Sequence, residues 1–558
     1  MLRYTLCIVP IFIFLGFTAA FLFELLYVAN LVPSSGQVLV SGNIEEYGFG
    51  LEQKLVIIDI TQIGGVDNID FIDKKLANIT IKDSFNVYYT GPVGIEIKGD
   101  GLPERRQLNF DLELWEWDDD EWDDHDEKLF GWEEDYSDYV LRGCYLENTC
   151  TRDLLPTVMS GSRYRAETVE VLLKNDQTYT YEGVYIMMQD IGRKLYYETD
   201  KENNEKWATK GKTVKDKDGG PCSPGADPLD IALLFKGEDV KRRGASRSAA
   251  CGLEKLYNIK MVYPKCKFYE DIQSTNTTCY NLYTDRVHQL YGALNLVDVK
   301  EPEIDYDSFV GHFIGACLVR QKDFGYVGAS SYMYVKPNQN TIYAGTMYDL
   351  DNIYWRMTVI PNPLDLPVYA NDVKTIWHKL GQDPVFIAKL RQNGSNILNF
   401  DIQQAETLYK NRMEENSLQY FDRHITRWNT LGKRLAPPII LSVYLLFGSD
   451  AHTKPTFEEE LVFQIDLMKE RATRINNELQ QITSVNSVLV DYISLALANY
   501  WIYCVVYILL IVYLVGIIVF MLVKRSSVST GHVSAPGKES KGVVRENERF
   551  KEKMRSMR

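Results

Sequence analysis

From Leu55 to Met188 the chain runs in short stretches in which apolar and polar residues alternate, the period-two pattern of strands with one buried face. Residues 55–59, 77–81, 87–89, 95–98, 169–173 and 181–188 read as strands, and 109–117 as a half-exposed one. Residues 201–228 are polar and rich in Lys, Asp and Gly, an insert with no periodic apolar face. The period then lengthens. Phe309, Val310, Phe313, Ile314, Cys317 and Leu318 recur at helical spacing after Asp307-Ser308, an N-cap signal, and predict a buried helix ending near Arg320. A strand over 330–335, a turn over 337–340 and a returning strand over 341–347 follow. Beyond Phe400 the apolar residues again recur at helical spacing. Ile402, Ala405, Leu408 and Met413 mark one helix, Tyr420, His424, Ile425 and Trp428 a second, and Leu461, Ile465, Met468 and Ile475 a third. Residues 435–446 are broken by Pro437-Pro438 and are expected to pack in the core. Strands first and helices last make the expected class α+β, without internal repeats.

Both ends are apolar. Trp501 to Val523 is uninterrupted by charge and long enough to cross a bilayer as a helix. Lys524-Arg525 follows, and residues 524–558 carry ten Lys/Arg and four Asp/Glu, so the tail is expected in the cytosol and the large domain in the lumen or outside the cell. Residues 4–23 are almost wholly apolar and read either as a cleaved signal peptide or as an uncleaved anchor. The expected organisation is a signal segment over 1–30, a linker over 31–54, a large domain over 55–484, a juxtamembrane stretch over 485–500, a span over 501–523 and a basic tail over 524–558.

Charge and cysteines refine the setting. The formal net charge is -15, and the basic tail accounts for +6, so the remainder is near -21, which argues against a nucleic-acid partner. Much of the excess lies in residues 113–127, where Trp115, Trp117 and Trp122 are interleaved with acids. This stretch reads as a solvated insertion between strands, with a calcium loop or a docking surface for a basic substrate as alternatives. Cys317 reads as a buried core thiol. Neighbour pairing joins Cys144 with Cys150, Cys222 with Cys251 and Cys266 with Cys279, one of fifteen arrangements open to six cysteines. Asn78, Asn276 and Asn393 head glycosylation sequons.

The candidate chemistry lies in carboxylates. Asp323 falls on the loop after the buried helix, and Asp349 and Asp351 at the end of the returning strand. Phosphoryl transfer needs one carboxylate to orient the attacking hydroxyl and another to hold magnesium. His312, His378 and His424 read as structural, because no Ser/His/Asp or Cys/His arrangement accompanies them.

Several blocks, in order over residues 55–482, resemble the CotH family of atypical protein kinases. Ile95-Glu96-Ile97-Lys98-Gly99 is similar to the family's early I-R-G strand, and Arg105-Arg106-Gln107-Leu108-Asn109-Phe110 to the basic strand after it. Phe130-Gly131-Trp132 with Ser137-Asp138-Tyr139-Val140-Leu141 resembles L-G … D-W-V-L, and Thr151-Arg152-Asp153-Leu154-Leu155 stands where the family has L-L-R-N. Gly183-Val184-Tyr185-Ile186-Met187-Met188-Gln189 is similar to G-V-Y-L-L-x-E, and Val262-Tyr263-Pro264-Lys265 to K-Y-P. Residues 330–334 with Met347-Tyr348-Asp349-Leu350-Asp351 resemble S-T-Y-M-Y … V-W-D-F-D.

The resemblance implies a two-lobed, protein-kinase-like fold with a helical C-terminal part, the smaller lobe over about 55–195 and the larger over about 229–484. It implies ATP with Mg2+ or Mn2+ between the lobes and a protein substrate in the lumen or at the cell surface. Asp323 takes the catalytic role, Asp349 and Asp351 the metal-binding role, and Arg105, Arg106, Arg152 and Gln189 the nucleotide-binding roles. Asp323-Phe324-Gly325 spells the metal motif of ordinary kinases, yet by position it matches the family's catalytic loop. The chain departs from the pattern at Gln189, where the family has Glu, and at Arg105 and Arg106, where it tends to have Lys. An inactive surface protein that keeps the fold for recognition or adhesion is the alternative.

Overall fold

A computed structural model describes residues 39–41, 44–70, 73–98, 107–118, 120–144, 149–161, 163–192, 195–196, 232–237, 259–263, 277, 280–281, 284–287, 303–319, 331–336, 339–348, 350, 364, 366–368, 377, 380–415, 418–428, 454–485 and 487–489. The signal segment, the insert over 201–228, residues 435–446, the apolar run over 501–523 and the basic tail lie outside the described residues.

The first nine strands are β1 (Leu39–Ser41), β2 (Lys54–Asp59), β3 (Lys75–Lys82), β4 (Val87–Lys98), β5 (Asn109–Asp118), β6 (Glu121–Asp124), β7 (Asp138–Gly143), β8 (Ala166–Asn175) and β9 (Thr178–Gln189). Their pairing runs β9-β7-β5-β4-β3-β2-β8, and β8 also pairs antiparallel with β9, so seven strands close on themselves. The β2–β8 contact is the one parallel pairing in that circuit. Closure explains the alternation of the sequence: Val56, Ile79, Ile95, Leu112, Tyr139 and Val171 are buried in one shared apolar cluster, the barrel interior. The intervening residues of the same strands carry the charges. The acid-rich stretch continues β5 outward and turns back as β6, with Trp115 stacked on Trp122 and Trp117 edge-on to it, so it is a paired hairpin.

A second sheet has the order β11-β10-β13-β14-β12, built from β10 (Leu233–Gly237), β11 (Ile259–Tyr263), β12 (Glu303–Ile304), β13 (Ser331–Val335) and β14 (Thr341–Met347). A short parallel pair, β15 (Leu366–Val368) and β16 (Ser487–Leu489), completes the strands described. The helices that matter here are α1 (Tyr306–Val319), α2 (Pro384–Glu415), α3 (Gln419–Trp428) and α4 (Phe457–Leu479).

Every residue of α1 from Phe309 to Val319 is buried, as the apolar run predicts. Its cap is Asp305, not the Asp307-Ser308 pair: the Asp305 carboxylate accepts the Ser308 N–H at 2.8 Å. Ser308 is used elsewhere, its hydroxyl accepting the Ala344 N–H of β14 at 3.0 Å, and Asp307 pairs with Lys389 of α2 at 2.9 Å. Arg471 of α4 donates to the Cys317 carbonyl at the other end of α1. α2 is far longer than its predicted second half. Gly394 lets it approach α4, since a methyl there would sit 3.0 Å from the Leu479 δ-carbons. Thr456 caps α4, accepting the Glu459 N–H at 3.2 Å.

α1, α2, α4 and the second sheet share the larger apolar core, which also takes Val140, Val184, Ile186 and Met188. Those four sit on the outer face of the barrel, at β7 and β9, so the helical part packs against that wall. Cys144 and Cys150 form the expected disulfide, and Cys317 is a buried thiol. The other four expected cysteine partners lie outside the described residues.

Candidate active site

On the outer face of the barrel, next to the wall that meets the helical part, the polar residues of β4, β5 and β7 gather into a chain of alternating charge. Glu96 stands opposite Asp111 across β4 and β5, and Glu113 opposite Asp138 across β5 and β7. Just past the end of β9, Asp190 comes to the same face. Lys98 donates to Asp190 at 2.7 Å and to Asp111 at 2.9 Å, and Lys74 reaches Asp111 at 3.1 Å and Glu113 at 3.5 Å. The Lys98 side chain keeps 23% of its exposure. An ammonium has three N–H donors, and the two carboxylates take two of them.

Burial disfavours the charged form of Lys98, but Asp111 and Asp190 outweigh it and hold the ammonium well above its ordinary range. Asp111 is held below the ordinary carboxylate value: burial pushes it up, while Lys98 and Lys74 pull it down further. Asp138 goes the other way, to about 7, because burial dominates and Glu113, Asp190 and Asp111 add to it against Lys74. The site thus keeps a fixed cation flanked by two acids, with a protonatable acid beside them.

The second wall comes from β13 and β14. Tyr332 and Tyr348 meet edge to face with ring centres 5.9 Å apart, and both lie within electrostatic reach of Lys98. Lys236 of β10 lies 5.9 Å from the Tyr332 ring centre. Arg142 of β7 lies 5.5 Å from the Tyr348 ring centre, and its Nε donates to Asp153 at 3.4 Å. The other Asp153 oxygen accepts the main-chain N–H of Leu350 at 3.0 Å. Tyr348 and Leu350 are therefore anchored on either side of position 349.

Asp323, Asp349, Asp351, Arg105 and Arg106 lie outside the described residues. Arg152 is buried with its guanidinium 3.4 Å from Glu460 of α4. Gln189 pairs with Tyr139 across β7 and β9 and alternates with Met188, so it belongs to the face that turns into the barrel. Its side-chain oxygen accepts the Arg165 N–H at 2.8 Å, and its nitrogen has no partner among the described residues. The structure thus brings Lys98, Asp190, Asp111, Tyr332 and Tyr348 together, while Arg152 and Gln189 are engaged elsewhere. Lys98 and Asp190 carry a sequence signal, Lys98 within a family-like block and Asp190 immediately after one. Asp153 lies within such a block and Arg142 just after one, but neither shows its role in sequence, because Asp153 and Leu350 are distant along the chain.

Among the described residues no three His, Cys, Asp or Glu side chains converge as a metal cluster. Lys98 combines a positive charge, partial exposure and a third N–H donor, features that suit an anionic ligand. A family model described as CotH kinase protein matches residues 95–475, from within β4 to within α4 and more than half of the chain. A comparison with curated proteins gave no match.

Proposed function

Because the chain belongs to the CotH kinase family, we propose that it is a membrane-anchored kinase that transfers the terminal phosphate of ATP to Ser or Thr of secreted or membrane proteins. The observation that carries this reading is Lys98, a cation set by Asp190 and Asp111 beside the strand end that leads into Asp349. Asp190 supplies the carboxylate next to that lysine, so Gln189 is no argument for an inactive protein. Lys98 would hold phosphate oxygens, and Tyr332 and Tyr348 would exclude water on the opposite wall. Asp323 would orient the acceptor hydroxyl, and Asp349 with Asp351 would hold magnesium or manganese. Bound metal-ATP supplies the transferable phosphoryl group and the divalent charge that offsets it. Arg105 and Arg106 retain a phosphate role by resemblance alone.

Three features support the setting. The run over 501–523 has the length and composition of a membrane span, and the basic tail beyond it favours a cytosolic C-terminus. The Cys144–Cys150 disulfide fits an oxidising compartment for the domain. Asn78 is exposed on β3, open to glycosylation there. The test is nucleotide-dependent thermal stabilisation of the full-length chain in detergent. ATP with magnesium is expected to raise the Tm of wild type and of Asp323→Ala, and to raise that of Asp349→Ala by no more than ATP does without metal. Equal stabilisation of Asp349→Ala would overturn the metal assignment, and its absence in wild type would favour a recognition or adhesion protein.

A further inference from the structure

We propose that Asp153 and Arg142 are positioning residues for the metal-holding segment, an inference that rests on the kinase reading of Asp349 and Asp351. The Leu350 N–H belongs to the peptide group joining Leu350 to Asp349, and Asp153 accepts it at 3.0 Å. That bond holds the main-chain N–H of Leu350, the residue between the two candidate ligands in sequence. Leu350 itself is fully buried in the larger core, so the segment is pinned by side chain and main chain at one residue, with a candidate ligand on either side. Two residues before Leu350, Arg142 lies against the Tyr348 ring while its Nε holds the second Asp153 oxygen.

The chemistry suits the task. A carboxylate accepts a main-chain N–H more strongly than a neutral group does, and a buried one needs a cation beside it, which Arg142 supplies. Both side chains are nearly buried, at 8% and 10% exposure, so their geometry is set by packing. The Asp153 carbonyl accepts the Tyr164 hydroxyl at 3.2 Å, which fixes the backbone that carries the carboxylate. In this proposal both residues act through the segment rather than on the transferred phosphate. Their effect is to orient groups that hold metal, and loss of such outer partners costs about 10–100-fold in metal affinity.

The experiment is a magnesium chloride titration of the ATP-induced rise in Tm, on the full-length chain in detergent, for wild type, Asp153→Ala, Asp153→Asn and Arg142→Gln. Asp153→Ala is expected to raise the magnesium midpoint about 10–100-fold. Asp153→Asn keeps a neutral acceptor and is expected to raise it by less than Asp153→Ala does. Arg142→Gln is expected to fall between them. The small Tm rise produced by ATP without metal should be the same in all four, which a general loosening of the fold would not preserve. A folded Asp153→Ala with the wild-type midpoint overturns the inference. If Asp153→Ala does not fold, an unchanged midpoint in both Asp153→Asn and Arg142→Gln overturns it equally. A wild type without any metal-dependent shift would instead defeat the kinase reading itself.

Discussion

At the scale of single residues the proposed function rests on Lys98 and Asp190. Asp190→Asn removes one of the two acids that orient the ammonium, and a hydrogen bond to a charged group contributes about 1.5–3 kcal/mol. ATP affinity is expected to fall roughly ten- to a hundredfold by calorimetry. Gln189→Glu is expected to bring no gain in affinity, because that side chain turns into the barrel and would bury a new carboxylate. Asp138 supplies a test by pH. Its folded pKa of about 7 lies above the ordinary value of 3.8, so the folded state keeps a proton that the unfolded chain releases. The stability contributed by this group is full below about pH 4 and is lost as pH rises towards 7. Asp138→Asn should therefore raise Tm more at pH 8 than at pH 5, and little at pH 4; a gain independent of pH would contradict the assignment. The sequence pointed to the neighbourhood of these residues without their roles. Alternation placed Glu96, Lys98, Asp111 and Glu113 on polar positions, but which of them pair depends on strand register that a sequence does not print.

At the scale of elements, the joint between β9 and α3 holds the barrel to the helical part. Gly183, in the family-like G-V-Y block, has φ of 107°, and a methyl there would lie 2.6 Å from the Trp428 indole nitrogen. The opening lets His424 accept the Val184 N–H at 3.0 Å, Trp428 donate to Glu182 and Arg427 donate to Tyr181. His424→Ala leaves a buried N–H without its acceptor and is expected to cost about 1–3 kcal/mol in urea unfolding. Gly183→Ala should cost more, since it adds backbone strain to the clash. Burial also depresses the His424 pKa to about 3, so the neutral ring's contribution is present above about 6.5 and is lost as pH falls below that. The helical spacing of Tyr420, His424 and Trp428 showed α3, but not that its polar residues reach into a strand. Barrel closure was likewise hidden, because β2 and β8 are neighbours only in space. The helical spacing beyond Phe400 shows only the second half of α2; in the first half Gly394 stands where two helices come close.

The whole molecule combines a closed barrel, a helical part packed on its outer wall and, in our proposal, a membrane span beyond residue 500. The family match begins inside β4, so β2 and β3, which complete the barrel, lie before the matched residues. Alkaline extraction of membranes tests the anchor: the full chain should stay in the pellet, and a chain ending at Asn499 should be released if the N-terminal segment is cleaved. Retention of the shorter chain would identify residues 4–23 as a second anchor. The central claim is transfer of phosphate, and it is tested most directly by incubating the purified full-length protein with γ-labelled ATP and manganese beside Asp323→Ala. We predict labelled Ser or Thr with the wild type and none with the variant. Equal labelling by both, or no labelling by a wild type that ATP fails to stabilise, would contradict the account.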